Sequence, residues 1–263
     1  MKVDRARARV LLVGIGGLGC PAALALASSG VGVIGLCDDD EVDRSNLHRQ
    51  ILFGESDVGT MKLDAAARFL SQKFAQSRLE GGEPRQRTAR ADVAAPTLRM
   101  HPTRLLPDNA VALVREYDVV LEGSDNFATK FLTADACAIA GVAVVHASAV
   151  RWVGTALAVG PVGCPCYRCL FEDVLGENAP NCAEAGILGP VAGIVAAAQV
   201  ELALALIDGE AVEGHLVTFD GRTDVFRRRI ISRRADCPLC GPSSSAHIDR
   251  IEPERYVSPA FAG

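Results

Sequence analysis

The amino-acid sequence predicts a Rossmann-like α/β protein, with a mostly parallel sheet that is flanked by helices and extended by antiparallel C-terminal strands. The first observation is a strand, a glycine-rich turn, a helix and a second strand in succession between residues 9 and 37. Strands that are joined through a helix pair in parallel. The second observation is a hairpin pattern at residues 216–220 and 225–231, joined around a glycine. The third is two Cys-x-x-Cys motifs, which predict a structural zinc site within this fold.

Hydrophobic patterns predict the other elements in chain order. Predicted strands cover residues 9–13, 31–37, 119–122, 142–147 and 155–160. Predicted helices cover residues 18–29, 63–74, 109–116, 129–140 and 187–207. The first half of residues 79–92 and all of residues 161–186 are predicted loops, and the length of the second indicates a functional segment.

The composition excludes several classes of protein. The 263 residues are 49% hydrophobic and 22% charged, with a net charge of −5. These values exclude a disordered, collagen-like or coiled-coil chain. An acidic chain is poorly suited to nucleic acid or to an anionic membrane, so we expect neither as a partner. Glycines interrupt both long apolar runs, which favours core elements over export or membrane segments and predicts a cytoplasmic protein.

The turn after the first strand carries a glycine fingerprint. Gly14, Gly16, Gly17 and Gly19 lie between the strand and the helix, and Asp38 follows the second strand. Glycine lets the backbone approach a phosphate closely, and the N–H groups at a helix start favour an anion. A carboxylate after the second strand can accept a hydrogen bond from a ribose hydroxyl. The motif predicts a nucleotide site, and NAD, FAD and ATP all remain open at this point.

The segment after the second strand narrows the choice of nucleotide. It contains Asp40 and the run Ser45, Asn46, Leu47, His48, Arg49 and Gln50, and Lys62 follows further along. Taken alone, Arg49 and Lys62 would be solvated surface charges. After a phosphate-binding turn they favour a triphosphate, because an enzyme that uses NAD has no need of cations at this place.

The motif Ser124-Asp125-Asn126 follows the predicted strand at residues 119–122. The carboxyl end of a parallel strand faces the ligand crevice, so Asp125 can hold Mg²⁺ bound to phosphates. The alternative is a helix cap, a role that Asp and Asn both serve well. We expect Asn126 to cap the following helix and Asp125 to take the metal.

Four of the nine cysteines form two pairs, Cys166 with Cys169 and Cys237 with Cys240. Four thiolates around one Zn²⁺ leave no open coordination position, which indicates a structural site. Cys164 with Cys166 is a weaker alternative pairing.

A further cysteine lies just before the predicted helix at residues 187–207. The start of a helix favours a reactive thiolate, so Cys182 is a candidate catalytic thiol. A loop thiol without a role is the competing interpretation.

Taken together and in this order, these motifs resemble the MoeB/ThiF/HesA family, the bacterial relatives of ubiquitin-activating enzymes. The resemblance covers about residues 9–241. It implies an ATP-binding adenylyltransferase domain at residues 1–241, followed by a polar C-terminal tail at 242–263. The implied reaction joins AMP to the C-terminal Gly-Gly carboxylate of a small ubiquitin-like sulfur carrier and releases diphosphate. The pathway would be molybdopterin, thiamine or a related biosynthesis.

The resemblance also implies roles for residues in the ATP site. Asp38 would bind the ribose. Asn46, Arg49 and Lys62 would contact the phosphates, and Asp125 would hold Mg²⁺. The glycines of the loop, Asp40, the run from Ser45 to Gln50 and Asn126 would line the rest of the site.

Partners and further residues follow from the same resemblance. Cys182 would match a cysteine that some members use in sulfur transfer, and Arg151 would match a position near the active site. We expect a homodimer and a sulfurtransferase or cysteine desulfurase partner. Arg5 or Arg7 would take the place of an N-terminal arginine that members supply to the other subunit.

Three other functions remain open from the sequence alone. A tRNA-modifying relative, of the threonylcarbamoyladenosine dehydratase type, would share the ATP site but usually lacks the cysteine pairs. An NAD-binding oxidoreductase would share the glycine loop. A non-catalytic partner of a ubiquitin-like protein would bind the carrier without using ATP.

Overall fold

The computed structural model describes residues 2–79, 95–171, 186–245 and 247–256 of the chain. The strands are β1 (Arg9–Val13), β2 (Val33–Cys37), β3 (Thr97–His101), β4 (Val119–Glu122), β5 (Ala143–Val150), β6 (Val153–Val159), β7 (His215–Asp220) and β8 (Val225–Ile230). The helices are α1 (Gly19–Ala27), α2 (Lys62–Leu79), α3 (Ala110–Val114), α4 (Phe127–Ala140), α5 (Tyr167–Leu170) and α6 (Gly189–Asp208). Short 3-10 turns cover Arg5–Arg7, Arg44–Asn46, Glu55–Asp57 and Pro253–Tyr256.

The strands form one eight-stranded sheet in the order β3-β2-β1-β4-β5-β6-β7-β8. The first five strands of that order pair in parallel. The last three pair in antiparallel fashion with their neighbours, and β7 and β8 form the predicted hairpin. The predicted fold class, a Rossmann-like sheet with an antiparallel C-terminal extension, is confirmed.

The order of the strands creates a crevice between β1 and β4. After β1 the chain adds β2 and β3 on one side, and it then returns to place β4 on the other side of β1. Such a switch in direction separates the connections above the carboxyl ends of two neighbouring strands, and ligands of this fold class bind there. The crevice lies above the ends of β1 and β4.

The central strands of the sheet are buried on both faces, which explains why they are apolar along their length. In β1, Val10 and Leu12 belong to a core that includes residues of α1, α2 and α6. Leu11 and Val13 belong to a second core, on the α3 and α4 side. Because side chains alternate along a strand, a strand between two layers of helices is apolar at every position.

The helix α6 is long and apolar enough to cross a membrane by composition alone, and 61% of its most apolar stretch is buried inside the protein. Its buried Gln199 donates hydrogen bonds to the carbonyl oxygens of Glu122 (2.9 Å) and Val145 (2.8 Å). These bonds tie the helix to β4 and β5, so α6 packs as the predicted core helix.

Two elements differ from the sequence-based expectation. β3 was not predicted, because it is an edge strand whose exposed Arg99 and half-buried His101 break the apolar run. α5 begins inside a predicted loop, directly after Cys166. Much of the two predicted loops, residues 80–92 and 172–185, lies outside the described residues.

The C-terminal tail, predicted to be polar, contributes apolar contacts to the fold. Ile248 and Tyr256 are both buried. The hydroxyl of Tyr256 donates to the carboxylate of Asp135 in α4 at 2.8 Å. The described part of the tail is therefore packed against the body of the protein.

The turn after β1 provides a test of the fold. A Cβ on Gly19 would lie 2.0 Å from the carbonyl oxygen of Gly14, whereas one on Gly193 in α6 meets nothing within 4 Å among the described residues. We expect Gly19→Ala to lower the free energy of unfolding by about 1–3 kcal/mol through overpacking. Gly193→Ala should raise it by about 0.5–1 kcal/mol, because alanine favours a helix interior. Urea unfolding followed by circular dichroism measures both, and a Gly19→Ala chain as stable as wild type would contradict this packing.

Candidate nucleotide site and cysteine cluster

The glycine loop after β1 lies against the loop that follows β4. Gly14 has a φ of +87°, a backbone conformation that favours glycine. A Cβ there would lie 3.5 Å from the backbone nitrogen of Ser124, and one on Gly123 would lie 3.3 Å from Cβ of Leu18. The two loops thus approach each other through nearly bare backbone, at the crevice that the strand order creates.

Asp38 and Lys62 form a buried charged pair next to the glycine loop. The carboxylate of Asp38 accepts hydrogen bonds from the backbone N–H groups of Ile15 (2.6 Å) and Asp40 (2.9 Å). The Nζ atom of Lys62 lies 3.5 Å from Asp38 Oδ1 and donates to Asp40 Oδ2 at 2.7 Å. The side chains of Asp38 and Lys62 are each 7% exposed, whereas that of Asp40 is 51% exposed. The amine of Lys62 therefore lies at the carboxyl ends of the strands, between one buried and one solvated carboxylate.

The surroundings shift the pKa values of the two carboxylates in opposite directions. Burial raises the pKa of Asp38, and Lys62 and the backbone N–H groups oppose this rise. Burial also acts to raise the pKa of Asp40, but Lys62 and Arg104 outweigh it, so the pKa of Asp40 is lowered. Arg104 lies 3.3 Å from Asp40 and 2.8 Å from Asp39. Sequence reasoning missed Arg104, because the strand that precedes it was not predicted.

Arg49 lies beside the glycine loop. A Cβ on Gly17 would lie 3.2 Å from both Cγ and Cδ of Arg49, so the arginine stem packs on bare backbone. A Cβ on Gly189, at the start of α6, would lie 2.5 Å from the carbonyl oxygen of His48. Gln50 is buried, and its side-chain oxygen has no hydrogen-bond partner among the described residues. The segment is thus held between the glycine loop and α6, and it carries a cation together with a free acceptor.

The start of the predicted run has local contacts that place Arg49. The hydroxyl of Ser45 donates to Asp43 at 2.5 Å. The carbonyl oxygen of Asn46 accepts from the backbone N–H of Arg49 at 3.0 Å, and Leu47 packs against the core. The nucleotide contacts expected of Ser45, Asn46 and Leu47 stay predictions.

The loop after β4 carries the next two predicted residues. The side chain of Asn126 accepts a hydrogen bond from the backbone N–H of Thr129 at 2.8 Å and caps α4, as predicted. Asp125 is exposed. The prediction that Asn126 caps the helix is therefore confirmed. The carboxylate of Asp125 is exposed to solvent, and its expected role as a metal ligand stays a prediction.

A buried polar cluster that the sequence did not reveal adjoins this loop. Glu122 accepts the backbone N–H of Ser124 (2.7 Å) and its hydroxyl (2.5 Å) with one oxygen, and Nζ of Lys130 (2.7 Å) with the other. Nδ1 of His146 lies 3.5 Å from the same carboxylate. The available signal was a glutamate at the end of an apolar strand with a lysine on the next helix, since a buried charge requires a partner.

The two cysteine pairs meet on the α4 side of the sheet. The sulfur of Cys166 lies 3.4 Å from that of Cys237 and 3.8 Å from that of Cys169, which lies 3.4 Å from the sulfur of Cys240. A tetrahedral zinc with Zn–S bonds of about 2.3 Å separates its sulfur ligands by about 3.8 Å. The four predicted cysteines form one of the two groups among the described residues that could hold a metal, and Cys164 is not part of it; the other group is Asp38, Asp39 and Asp40.

The cysteine cluster is tied to the body of the protein by a buried ion pair. Arg168, between two of the cysteines, donates to both carboxylate oxygens of Asp135 in α4 at 2.8 Å. Its guanidinium also lies 4.7 Å from the ring centre of Phe131. The cluster therefore fastens the loop after β6 and the C-terminal segment to one helix.

The sequence analysis also singled out Cys182 and Arg151. Cys182 lies outside the described residues. Arg151 is exposed at the turn between β5 and β6, with a φ of 52°, and forms a bridge to Ile187. The roles that the resemblance implied for them stay predictions.

Comparison with known proteins gives consistent results at the level of sequence. A family model described as the ThiF family matches residues 4–239. An "Adenylyltransferase and sulfurtransferase MOCS3" from Culex quinquefasciatus is 34% identical over 275 residues, which cover 96% of this chain and 58% of the relative. A protein of the same name from Mus musculus is 41% identical over 240 residues, with 90% and 48% covered. The chain thus spans about half the length of these relatives.

Solved structures share the fold at low sequence identity. The crystal structure of Escherichia coli MccB with MccA-N7isoASN has a TM-score of 0.73 and 21% identity, and it covers 90% of this chain and 68% of that one. The crystal structure of MccB with ATP has a TM-score of 0.70 and 20% identity, with the same shares covered. The family match extends over most of the chain, and the relatives and the fold agree with it. The chain belongs to the ThiF family.

Proposed function

We propose that this chain is an ATP-dependent adenylyltransferase that activates the C-terminal Gly-Gly carboxylate of a small ubiquitin-like sulfur carrier. The observation that carries the proposal is the pair of cations at the carboxyl ends of the parallel strands. Lys62 is held between Asp38 and Asp40, and Arg49 packs on Gly17. Nucleotides bind at this edge of such sheets. Two cations match a triphosphate better than they match the dinucleotide of an oxidoreductase.

The names of the relatives support adenylyl transfer as the type of reaction. The name of the mosquito and mouse proteins includes an adenylyltransferase activity, and a protein of the same fold was solved with ATP. Both relatives are longer than the matched region, so their sulfurtransferase activity is not carried over to this chain. We infer the adenylyl transfer, and a sulfurtransferase or cysteine desulfurase would act as a partner.

The proposed reaction needs charge neutralisation more than proton transfer. The carrier carboxylate is ionised at neutral pH, so no general base is required for its attack on the α-phosphate. The obstacle is the repulsion between that carboxylate and a polyphosphate. Arg49 and Lys62 would offset this repulsion and favour the departure of diphosphate, because preorganised charges lower the energy of a charged transition state.

Asp125 would hold Mg²⁺ in this reaction. The ion prefers carboxylate, phosphate and water oxygens, and one protein carboxylate together with substrate phosphates is a common set. The exposed position of Asp125, after the end of β4, fits that demand. When bound, the ion supplies positive charge to the phosphates.

Other residues would complete the nucleotide site. Asp38 would bind the ribose with the lone pairs that its two backbone hydrogen bonds leave free. The remaining contacts would come from Gly14, Gly16, Gly17, Gly19, Asp40, Ser45, Asn46, Leu47, His48, Gln50 and Asn126. Cys182 would serve as a sulfur-transfer thiol. A homodimer, a cytoplasmic location and a role in molybdopterin, thiamine or a related biosynthesis belong to the same proposal.

The test measures exchange of labelled diphosphate into ATP by the purified chain with ubiquitin-like proteins from the same genome that end in Gly-Gly. Exchange should require the carrier. We expect Arg49→Ala and Lys62→Ala each to lower the rate by about 10²–10³-fold, the scale of losing one preorganised charge contact.

Two controls sharpen this test. A carrier that lacks its last two glycines should support no exchange, because it does not present the reacting carboxylate. Lys73→Ala, an exposed lysine on the same helix α2, should leave the rate unchanged. Exchange at the wild-type rate in both Arg49→Ala and Lys62→Ala would remove these cations from the mechanism.

The cysteine cluster fits a structural zinc. Neighbouring sulfur atoms lie 3.4–3.8 Å apart, close to the separation of about 3.8 Å between the ligands of a tetrahedral zinc. A thiolate is the form that binds the metal. Cys166, Cys169, Cys237 and Cys240 would hold Zn²⁺, which when bound supplies a closed crosslink between the loop after β6 and the C-terminal segment.

Zinc analysis provides a second prediction. The purified chain should contain about one zinc ion. Cys237→Ser should lose most of it and melt at a lower temperature, since the metal contributes to folding. Cys137→Ala, at a buried cysteine in α4 outside the cluster, should retain the metal. Metal analysis by mass spectrometry and thermal melting decide the matter, and unchanged zinc in Cys237→Ser would exclude the predicted ligand set.

A further inference from the structure

Glu122 occupies a special place at the candidate site. It is the last residue of β4, it is fully buried, and the loop of Gly123, Ser124 and Asp125 begins directly after it. One carboxylate oxygen accepts both the backbone N–H of Ser124 at 2.7 Å and its hydroxyl at 2.5 Å. Two bonds from one residue to one oxygen fix both the position and the rotation of that residue. The residue that follows it is Asp125.

The other oxygen of Glu122 is held from the opposite side. Nζ of Lys130 donates to it at 2.7 Å and to the carbonyl oxygen of Ala147 at 2.6 Å. Nδ1 of His146 lies 3.5 Å away. Burial acts to raise the pKa of Glu122, but Lys130 and His146 lower it to about 2. The carboxylate is therefore charged, paired and unable to turn away from Ser124.

The backbone of Glu122 is anchored independently of its side chain. The carbonyl oxygen of Glu122 accepts a hydrogen bond from Gln199 of α6 at 2.9 Å, and the strand pairs with β1 and β5. The ion pair is thus not needed to keep β4 in the sheet. Buried ion pairs contribute little net stability compared with apolar residues of the same volume, and their best attested use is to specify one arrangement.

We propose that Glu122 is a positioning residue, which uses the hydrogen bonds of Ser124 to hold the loop after β4 so that Asp125 faces the phosphates. Lys130 is the counter-charge that keeps Glu122 in place. The role of Asp125 rests on the proposed function. The two hydrogen bonds by which Glu122 holds Ser124, here called the clamp, do not depend on that function.

The experiment compares the full chain with two variants and one control. Glu122→Met combined with Lys130→Met removes both charges and the acceptor of Ser124 at once, so that neither charge is left buried and unpaired. Ser124→Ala removes the hydroxyl and keeps the backbone N–H. Thr133→Val is the control, because Thr133 is fully buried on the same helix as Lys130 and its hydroxyl donates only locally, to the carbonyl oxygen of Thr129.

The first readout is hydrogen exchange of the amides of residues 123–126. The double variant should lose about tenfold or more of the protection of the Ser124 amide, as expected when a hydrogen bond to a charged acceptor is lost. The control should keep that protection. Unchanged protection in the double variant would overturn the clamp, whatever reaction the chain catalyses.

The second readout is the Mg²⁺ dependence of diphosphate exchange. The double variant should need about tenfold more Mg²⁺ for half-maximal exchange, with KM for ATP at saturating Mg²⁺ nearly unchanged. Ser124→Ala should shift it in the same direction by less. A merely structural role would lower the melting temperature without this separation, and an unchanged Mg²⁺ requirement in a folded double variant would overturn the positioning role. Absence of exchange in the wild-type chain would instead count against the proposed function, and hydrogen exchange would still decide the clamp.

Discussion

The structure depends on the ion pairing of a nearly buried lysine, Lys62, at the carboxyl ends of the parallel strands. Lys62 Nζ lies within 3.5 Å of Asp38 and 2.7 Å of Asp40, and its side chain is only 7% exposed. A buried cation without a partner costs free energy. The two carboxylates supply the partners, and Asp38 in turn accepts a hydrogen bond from the backbone of the glycine loop at Ile15. The glycine turn and Lys62 are therefore connected through Asp38.

The topology extends this connection to a second strand end. Because β4 lies next to β1, the loop after β4 touches the glycine loop through bare backbone at Gly14 and Gly123. A second buried ion pair, Glu122 with Lys130, lies next to that loop. A third, Asp135 with Arg168, connects α4 to the cysteine cluster. In the second and third pairs the α4 partner, Lys130 or Asp135, ties the helix to a neighbouring segment.

Local patterns explain how much of this the sequence could predict. β4 was predicted with its observed bounds, because a strand buried on both faces is apolar throughout. The cap at Asn126 was predicted from the preference of the first helix position. The four cysteines were predicted from spacing alone, and the structure brings their sulfur atoms together.

What the sequence could not reveal depends on tertiary contacts. β3 is an edge strand with polar residues, so its sequence shows no hydrophobic repeat that would predict a strand. Without that strand, the contacts of Arg104 with Asp39 and Asp40 could not be predicted. His146 showed no ligand spacing, since its neighbour Glu122 is 24 positions earlier in the chain and adjacent only through strand pairing. Pairings between distant residues follow from the fold and leave no local pattern.

The central claim is that Lys62 and Arg49 are held ready for a triphosphate. A crystal structure of the chain with a non-hydrolysable ATP analogue and Mg²⁺ tests it most directly. The account predicts that the phosphates lie within hydrogen-bond distance of Lys62 Nζ and the Arg49 guanidinium, above the glycine loop. Phosphates that point away from both cations would contradict it.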